Sequence, residues 1–169
     1  IREDLTLLGL RGGGDADSGF AFDDFDRFQA DLASAGSLLI LHDSAPELPF
    51  DRVLLERILV ERPGLKITSI VRRAPLLLDA VAADARVAGI EELVDGVVPL
   101  ELPGNVGSGE GMRNLVSLVE ASDLVIAKGQ GHYEAMVEAG ISCYSLMRVK
   151  CPVMASAQGC RIGDLLLVK

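Results

Sequence analysis

Side chains of the kinds that do chemistry recur in this chain directly after short apolar runs. Asp43 follows the run 38–41, Arg72 and Arg73 follow 67–71, Lys128 follows 124–127, and Arg148 with Lys150 follows 143–147. Such runs read as buried strands, and in open α/β sheets ligands sit outside the carboxyl ends of the strands. These side chains are therefore expected to meet at one rim, with acidic Asp43 opposite basic Lys128. The stretch Leu41-His42-Asp43-Ser44-Ala45-Pro46-Glu47 sets one carboxylate at a strand end and a second near the next helix. Oxygen donors at a sheet rim suit Mg²⁺ or Mn²⁺, which take carboxylates together with water and substrate phosphate. Asp79 adds a further carboxylate at what reads as a helix opening, where an acid taken alone is ordinary dipole compensation.

The densest motif is Ala127-Lys128-Gly129-Gln130-Gly131-His132-Tyr133-Glu134, which leaves a strand and opens a helix. Glycines allow close backbone approach, helix-opening N–H groups attract an anion, and a lysine adds a point charge, so phosphate is the expected guest. Lys128 is expected at the rim, supplying charge rather than core area, and His132 is expected to face substrate. Neither a Walker motif nor G-x-G-x-x-G is present, and without G-x-S-x-G acyl hydrolysis is unsupported. The glycine-rich stretch 104–111 lacks a feeding strand and a following lysine, so it reads as a structural loop. His42 reads as a hydrogen-bonded structural residue and Cys143 as core.

What must position these groups is an alternation of strands and helices, read as a three-layer α/β/α domain with a mostly parallel, Rossmann-like sheet. Helices are expected over 25–35, with Asp24 as cap, and over 50–61, with Val53, Leu54, Ile58 and Leu59 on one stripe. Further helices are expected over 77–88, 112–121 and 132–139. Strands are expected over 37–42, 66–72, 93–100, 123–128 and 142–149, with a last edge strand over 163–169. Residues 1–24, glycine-dense and polar from 11 onward, read as a linker or the remnant of a helical region, and 25–169 as the core.

The composition narrows the function classes. With 169 residues the chain fits one domain, and 49% apolar content can bury a core, which excludes disorder as the main state. A net charge of −9 and 4% aromatic residues leave little for phosphate-backbone attraction or base stacking, so nucleic acid is not an expected partner. No apolar run approaches the roughly 20 residues that cross a bilayer. Three cysteines without C-x-x-C spacing and a start lacking signal-peptide order fit a reducing cytoplasm. Ile1 in first place suggests a trimmed piece of a longer protein. No feature specifies an oligomeric state.

Taken in order, Asp-Ser-Ala-Pro-Glu at 43–47, Arg-Ala-Pro-(x)3-Asp-Ala at 73–80 and Lys-Gly-Gln-Gly-His-Tyr-Glu at 128–134 resemble the damage-control phosphatases. The stretch Arg148-Val149-Lys150-Cys151-Pro152-Val153 extends the resemblance. It implies a metal-dependent phosphatase acting on small phosphorylated metabolites such as sugar phosphates, with Mg, Mn, Co or Ni as cofactor. Asp43, Ser44 and Asp79 would bind the metal, and Asp43, Asp79 and Lys128 would carry catalysis, with Asp79 nearest the attacking water. Glu47, Arg72, Gly129, Gln130, Gly131 and His132 would contact the substrate. Against the family pattern, Ser44 replaces Asn, Pro46 replaces Gly, Leu78 replaces a polar residue and His132 replaces Asn. Ser44 and Leu78 are the departures on which an alternative rests, a phosphorylated-ligand binding module or impaired pseudoenzyme. A haloacid-dehalogenase-like route through Asp43 lacks its second acid, since Ala45 stands two residues on.

Overall fold

In the computed structural model of the chain, residues 20–101 and 109–169 are described. The expected linker over 1–24 and loop over 104–111 fall largely outside them. The strands are β1 (Phe22–Asp23), β2 (Ser37–Leu41), β3 (Lys66–Arg72), β4 (Gly96–Leu100), β5 (Leu124–Lys128), β6 (Tyr144–Arg148) and β7 (Leu165–Val168). The helices are α1 (Phe25–Ser34), α2 (Leu48–Glu61), α3 (Ala82–Val87), α4 (Gly109–Glu120), α5 (Gln130–Glu138) and α6 (Pro152–Gln158), with 3₁₀ turns at Ala45–Glu47 and Ile90–Glu92.

The strands form one sheet in the order β1-β7-β6-β5-β2-β3-β4, parallel throughout except where β7 runs against β6. From β2 the chain builds outward through β3 and β4, then returns to lay β5 against the other side of β2. The crevice between β2 and β5 is therefore the point where strand order reverses, the place such sheets bind ligands.

Alternation along the strands assigns the two helical layers. Leu38, Ile40, Leu124 and Ile126 pack with Phe28 and Leu32 of α1 and with Leu55 and Ile58 of α2. Leu39, Leu41, Val125 and Ala127 pack on the other face with Leu115 of α4 and Met136 of α5. Buried on both faces, β2 and β5 read as continuous apolar runs, as central parallel strands do. The three-layer expectation is met. No helix among the described residues is long and apolar enough to cross a membrane.

Several local expectations differ from the structure for identifiable reasons. In α2 the inward residues are Leu48, Asp51, Leu54, Leu55 and Ile58, whereas Val53 is 40% exposed. The inner stripe is rotated by one position and includes a carboxylate. The helix expected over 77–88 is present only as α3, because residues 78–80 pair with the loop after β2 instead. Leu77 there is 95% exposed and has φ 54°. Asp23, not Asp24, accepts the Phe25 N–H, while the Asp24 carboxylate accepts the Lys169 N–H. Pro152 starts the unexpected α6, whose Met154 N–H bonds to Cys151 Sγ. The last strand lies inside the sheet, because β1 covers its outer edge.

Candidate functional site

Two loops are stitched together beyond the ends of β2 and β3. Ser44 and Asp79 form an isolated antiparallel bridge. Ala45 N donates to Leu78 O at 2.8 Å and Ala80 N donates to Asp43 O at 3.1 Å, while Arg72 N donates to Ala80 O at 2.8 Å. This pairing draws Asp79 back to the rim where Asp43 stands. His42, Asp43, Arg72, Asp79, Gly131 and His132 line one open cleft of about 370 Å³, counting the solvent in its mouth. Arg72 forms an ion pair with Asp79 inside it.

Burial pushes the Asp43 carboxyl above the usual carboxylate range, and Glu47 and Asp79 add to that push, while His132 and Lys150 act against it. The carboxylate lies directly over Gly129, the residue between β5 and α5. Gly129 has φ 84°, and a Cβ there would collide with the Asp43 carboxylate. Only glycine satisfies both demands. His132 is buried, and its Nδ1 donates to Lys128 O at 2.8 Å. Burial holds the ring below the ordinary histidine value. In the neutral form of the ring the proton sits on Nδ1 and Nε2 is left as an acceptor.

Lys128 is not the open rim lysine expected. Its side chain is buried, with Nζ 2.5 Å from Asp51 Oδ1 and 3.4 Å from Glu47 Oε2. Strand alternation gives the reason: Lys128 continues the Leu124–Ile126 side, toward α2, whereas Gly129 continues the side of α5. Glu47 accordingly meets Lys128 and does not line the cleft. Gln130 does not line it either: its Nε2 donates to Glu134 Oε1 at 2.8 Å and its Oε1 accepts Lys150 N–H at 3.0 Å. The Ser44 hydroxyl makes no capping bond to the turn it precedes.

Two residues outside the metal, catalytic and substrate sets implied by the resemblance belong here. Lys150 is 61% exposed at its side chain and places Nζ 3.7 Å from Asp43 Oδ2; its place after a strand was the available signal. Asp51 is 1% exposed and joins His42 Nδ1, 2.7 Å from Oδ2, to Lys128. His42 Nε2 in turn lies 3.0 Å from Ser69 Oγ. The signal for Asp51 was a carboxylate spaced three after Leu48 and four before Leu55, on an apolar stripe. Burial works against the Asp51 carboxylate, yet Lys128 and His42 together hold it below the usual range. Burial likewise works against the Lys128 ammonium, which Asp51 and Glu47 hold above its ordinary value.

The chain belongs to the damage-control phosphatase ARMT1-like domain family, whose model matches residues 12–166. An uncharacterised protein of Methanocaldococcus jannaschii is 32% identical over 136 residues, which cover 78% of this chain and 44% of that protein. A protein of Archaeoglobus fulgidus named damage-control phosphatase is 29% identical over 143 residues, covering 78% of this chain and 46% of its own. A DUF89 family crystal structure from Pyrococcus horikoshii matches with a TM-score of 0.80 at 23% identity, over 99% of this chain and 65% of that one. That likeness concerns the fold. The chain spans less than half the length of these curated relatives.

Proposed function

We propose that the cleft hydrolyses phosphate monoesters of small hydroxylated metabolites, such as sugar phosphates, with a divalent cation bound at Asp43 and Asp79. The observation that carries this reading is the convergence of two carboxylates from successive strand-end loops on one cleft at the sheet's switch point. The donor chemistry fits a hard cation. Two carboxylates share one cleft, and among the described residues no group of three His, Cys, Asp or Glu is placed to hold an ion by itself. Mg²⁺ or Mn²⁺, and equally Co²⁺ or Ni²⁺ bound through oxygen, leave the remaining positions to water and substrate phosphate. Ser44, opposite Asp79 in the bridge, is the candidate for a further contact.

When bound, such a cation supplies Lewis-acid polarisation of phosphate oxygens and lowers the pKa of water. The protein supplies the rest. Arg72 and Lys150 bring positive charge to the phosphate, and the opening of α5 adds N–H donors. Asp79, oriented by Arg72, is the group placed to align the attacking water. His132 Nε2 can accept a hydrogen bond from a substrate hydroxyl. Lys128 contributes its charge from beneath the cleft, shared with Asp51 and Glu47.

The Arg72–Asp79 ion pair favours one alternative, a phosphorylated-ligand binding module in which Asp79 is held by arginine. A phosphatase screen over phosphorylated sugars with each metal, run beside thermal shift, separates the two. Metal-dependent phosphate release is expected; a metal-induced shift without turnover would favour the binding module, and neither signal would remove both readings.

A further inference from the structure

One buried carboxylate holds two side chains at the floor of this cleft. Asp51 Oδ2 lies 2.7 Å from His42 Nδ1, and Oδ1 lies 2.5 Å from Lys128 Nζ. His42 and Lys128 leave β2 and β5, whose register pairs Leu41 with Ala127. They therefore stand side by side on the α2 face, each one residue before a cleft element: Asp43 in one strand, Gly129 in the other. The Asp43 carboxylate rests on Gly129, so the orientation of this seam sets the geometry of the cleft.

Stability does not account for the arrangement. A buried ion pair is commonly no better for folding than apolar residues of the same volume, whereas removing one partner is severe. What the network does provide is orientation. With Nδ1–H donated to Asp51, His42 accepts the Ser69 hydroxyl at Nε2, 3.0 Å away, and every polar atom of the chain Ser69–His42–Asp51–Lys128 is engaged.

We propose that Asp51 is a positioning residue of this site: its two oxygens fix the His42 ring and the Lys128 ammonium, and through them the seam that carries Asp43 and Gly129. The inference rests on the phosphatase reading of the cleft. It separates Asp51 from a plain structural acid, because an amide of the same shape fills the same space but reverses the hydrogen bond to His42.

The test is Asp51→Asn, read by nitrogen-15 spectra of the imidazoles and by kinetics. The chain contains two histidines, so both rings are resolved. The parent is expected to show His42 protonated on Nδ1, and D51N to move that proton to Nε2. In D51N kcat is expected to fall by about tenfold or more, with KM within about threefold, as for loss of transition-state positioning. Should D51N not fold, Asp51→Glu keeps the charge and both acceptors but shifts them by one methylene, and is read by kcat, expected to fall about tenfold. In D51N an unchanged tautomer, or the parent kcat with a changed one, overturns the proposal, as does the parent kcat in Asp51→Glu. If the parent releases no phosphate with any metal, the phosphatase reading fails on its own. Asp51 is then judged by the tautomer and by inorganic phosphate titration, where about tenfold weaker binding in D51N is expected and equal binding overturns it.

Discussion

Two polar layers, one residue apart along β2 and β5, have opposite characters. Toward α2, His42, Ser69, Asp51 and Lys128 are buried and mutually paired. Toward α5, Asp43, Asp79, Arg72 and His132 line an open cleft, and burial, with Glu47 and to a lesser degree Asp79, disfavours ionisation of Asp43. The closed layer is satisfied and holds position. The open layer keeps unmet electrostatic demand, which is the property that binds ligands and cations. Strand alternation decides the layer for His42, Asp43, Ser69, Arg72 and Lys128.

The largest effect is expected where the closed layer is broken. Lys128→Ala leaves Asp51 as a buried charge without its cation, at a cost of about 3–5 kcal/mol. With roughly 2–4 °C per kcal/mol for a chain of this size, melting should fall by roughly 6–20 °C. Adding Asp51→Asn should recover much of that. A melting temperature within ~2 °C of the parent for Lys128→Ala would show the layer to be open to solvent, and the contrast would collapse.

Next in size is the contact between the layers' neighbours, Asp43 and Gly129. Gly129→Ala forces a side chain into a backbone region that costs about 1–3 kcal/mol, and its methyl displaces the Asp43 carboxylate. Stability and metal-dependent turnover should both fall. Gly131 is the internal control: a Cβ there meets nothing within 4 Å, and alanine inside α5 should gain ~0.5–1 kcal/mol. Equal melting shifts for the two alanines would deny that Gly129 is there for Asp43.

These two residues also show what could be read in advance. Asp43, Asp79 and Arg72 follow apolar runs, so their meeting at a rim was legible from strand ends and the rule for open sheets. Lys128 follows a run just as clearly, but its motif looks like one contiguous phosphate loop, whereas alternation places it with Ile126. Asp51 was not legible, since which stripe of α2 faces inward depends on packing and not on spacing alone. Apolar and alanine positions at helical spacing over 77–88 suggest a helix; backbone pairing between the loops of Asp43 and Asp79, a contact between distant segments, leaves Leu77 and Leu78 exposed instead.

A smaller effect of opposite sign is expected on the open side. The folded-state value of Asp43 is raised, so the native state holds its proton more tightly than the unfolded chain. Stability is then lost as pH rises from the ordinary carboxylate range through the raised value. At neutral pH that loss is already present, and Asp43→Asn removes it. In chelator-treated protein the variant should melt higher at neutral pH, by roughly 2–4 °C for each kcal/mol relieved, with the gain vanishing below about pH 4. Turnover should disappear. A variant that melts lower at neutral pH would mean that burial and the neighbouring acids do not raise Asp43.

The smallest effect on the fold, and the finest probe of the open layer, is Ser44→Asn. Ser44 faces Asp79 across the backbone bridge and its hydroxyl caps nothing, so an exchange there should leave melting of the metal-free chain unchanged. An Asn carbonyl reaches about one bond further than a serine hydroxyl, and Mg²⁺ tolerates little error around oxygen distances of about 2.0–2.1 Å. Serine would then meet the ion through water and asparagine directly. One gained contact of about 1–2 kcal/mol corresponds to roughly tenfold tighter metal binding, measured by calorimetry on both chains. Turnover should rise with it, since Asp43, Asp79 and the closed layer beneath them are untouched. Equal affinities would remove position 44 from the metal site, while tighter binding without faster turnover would turn attention to Leu78 and to the arginine that holds Asp79.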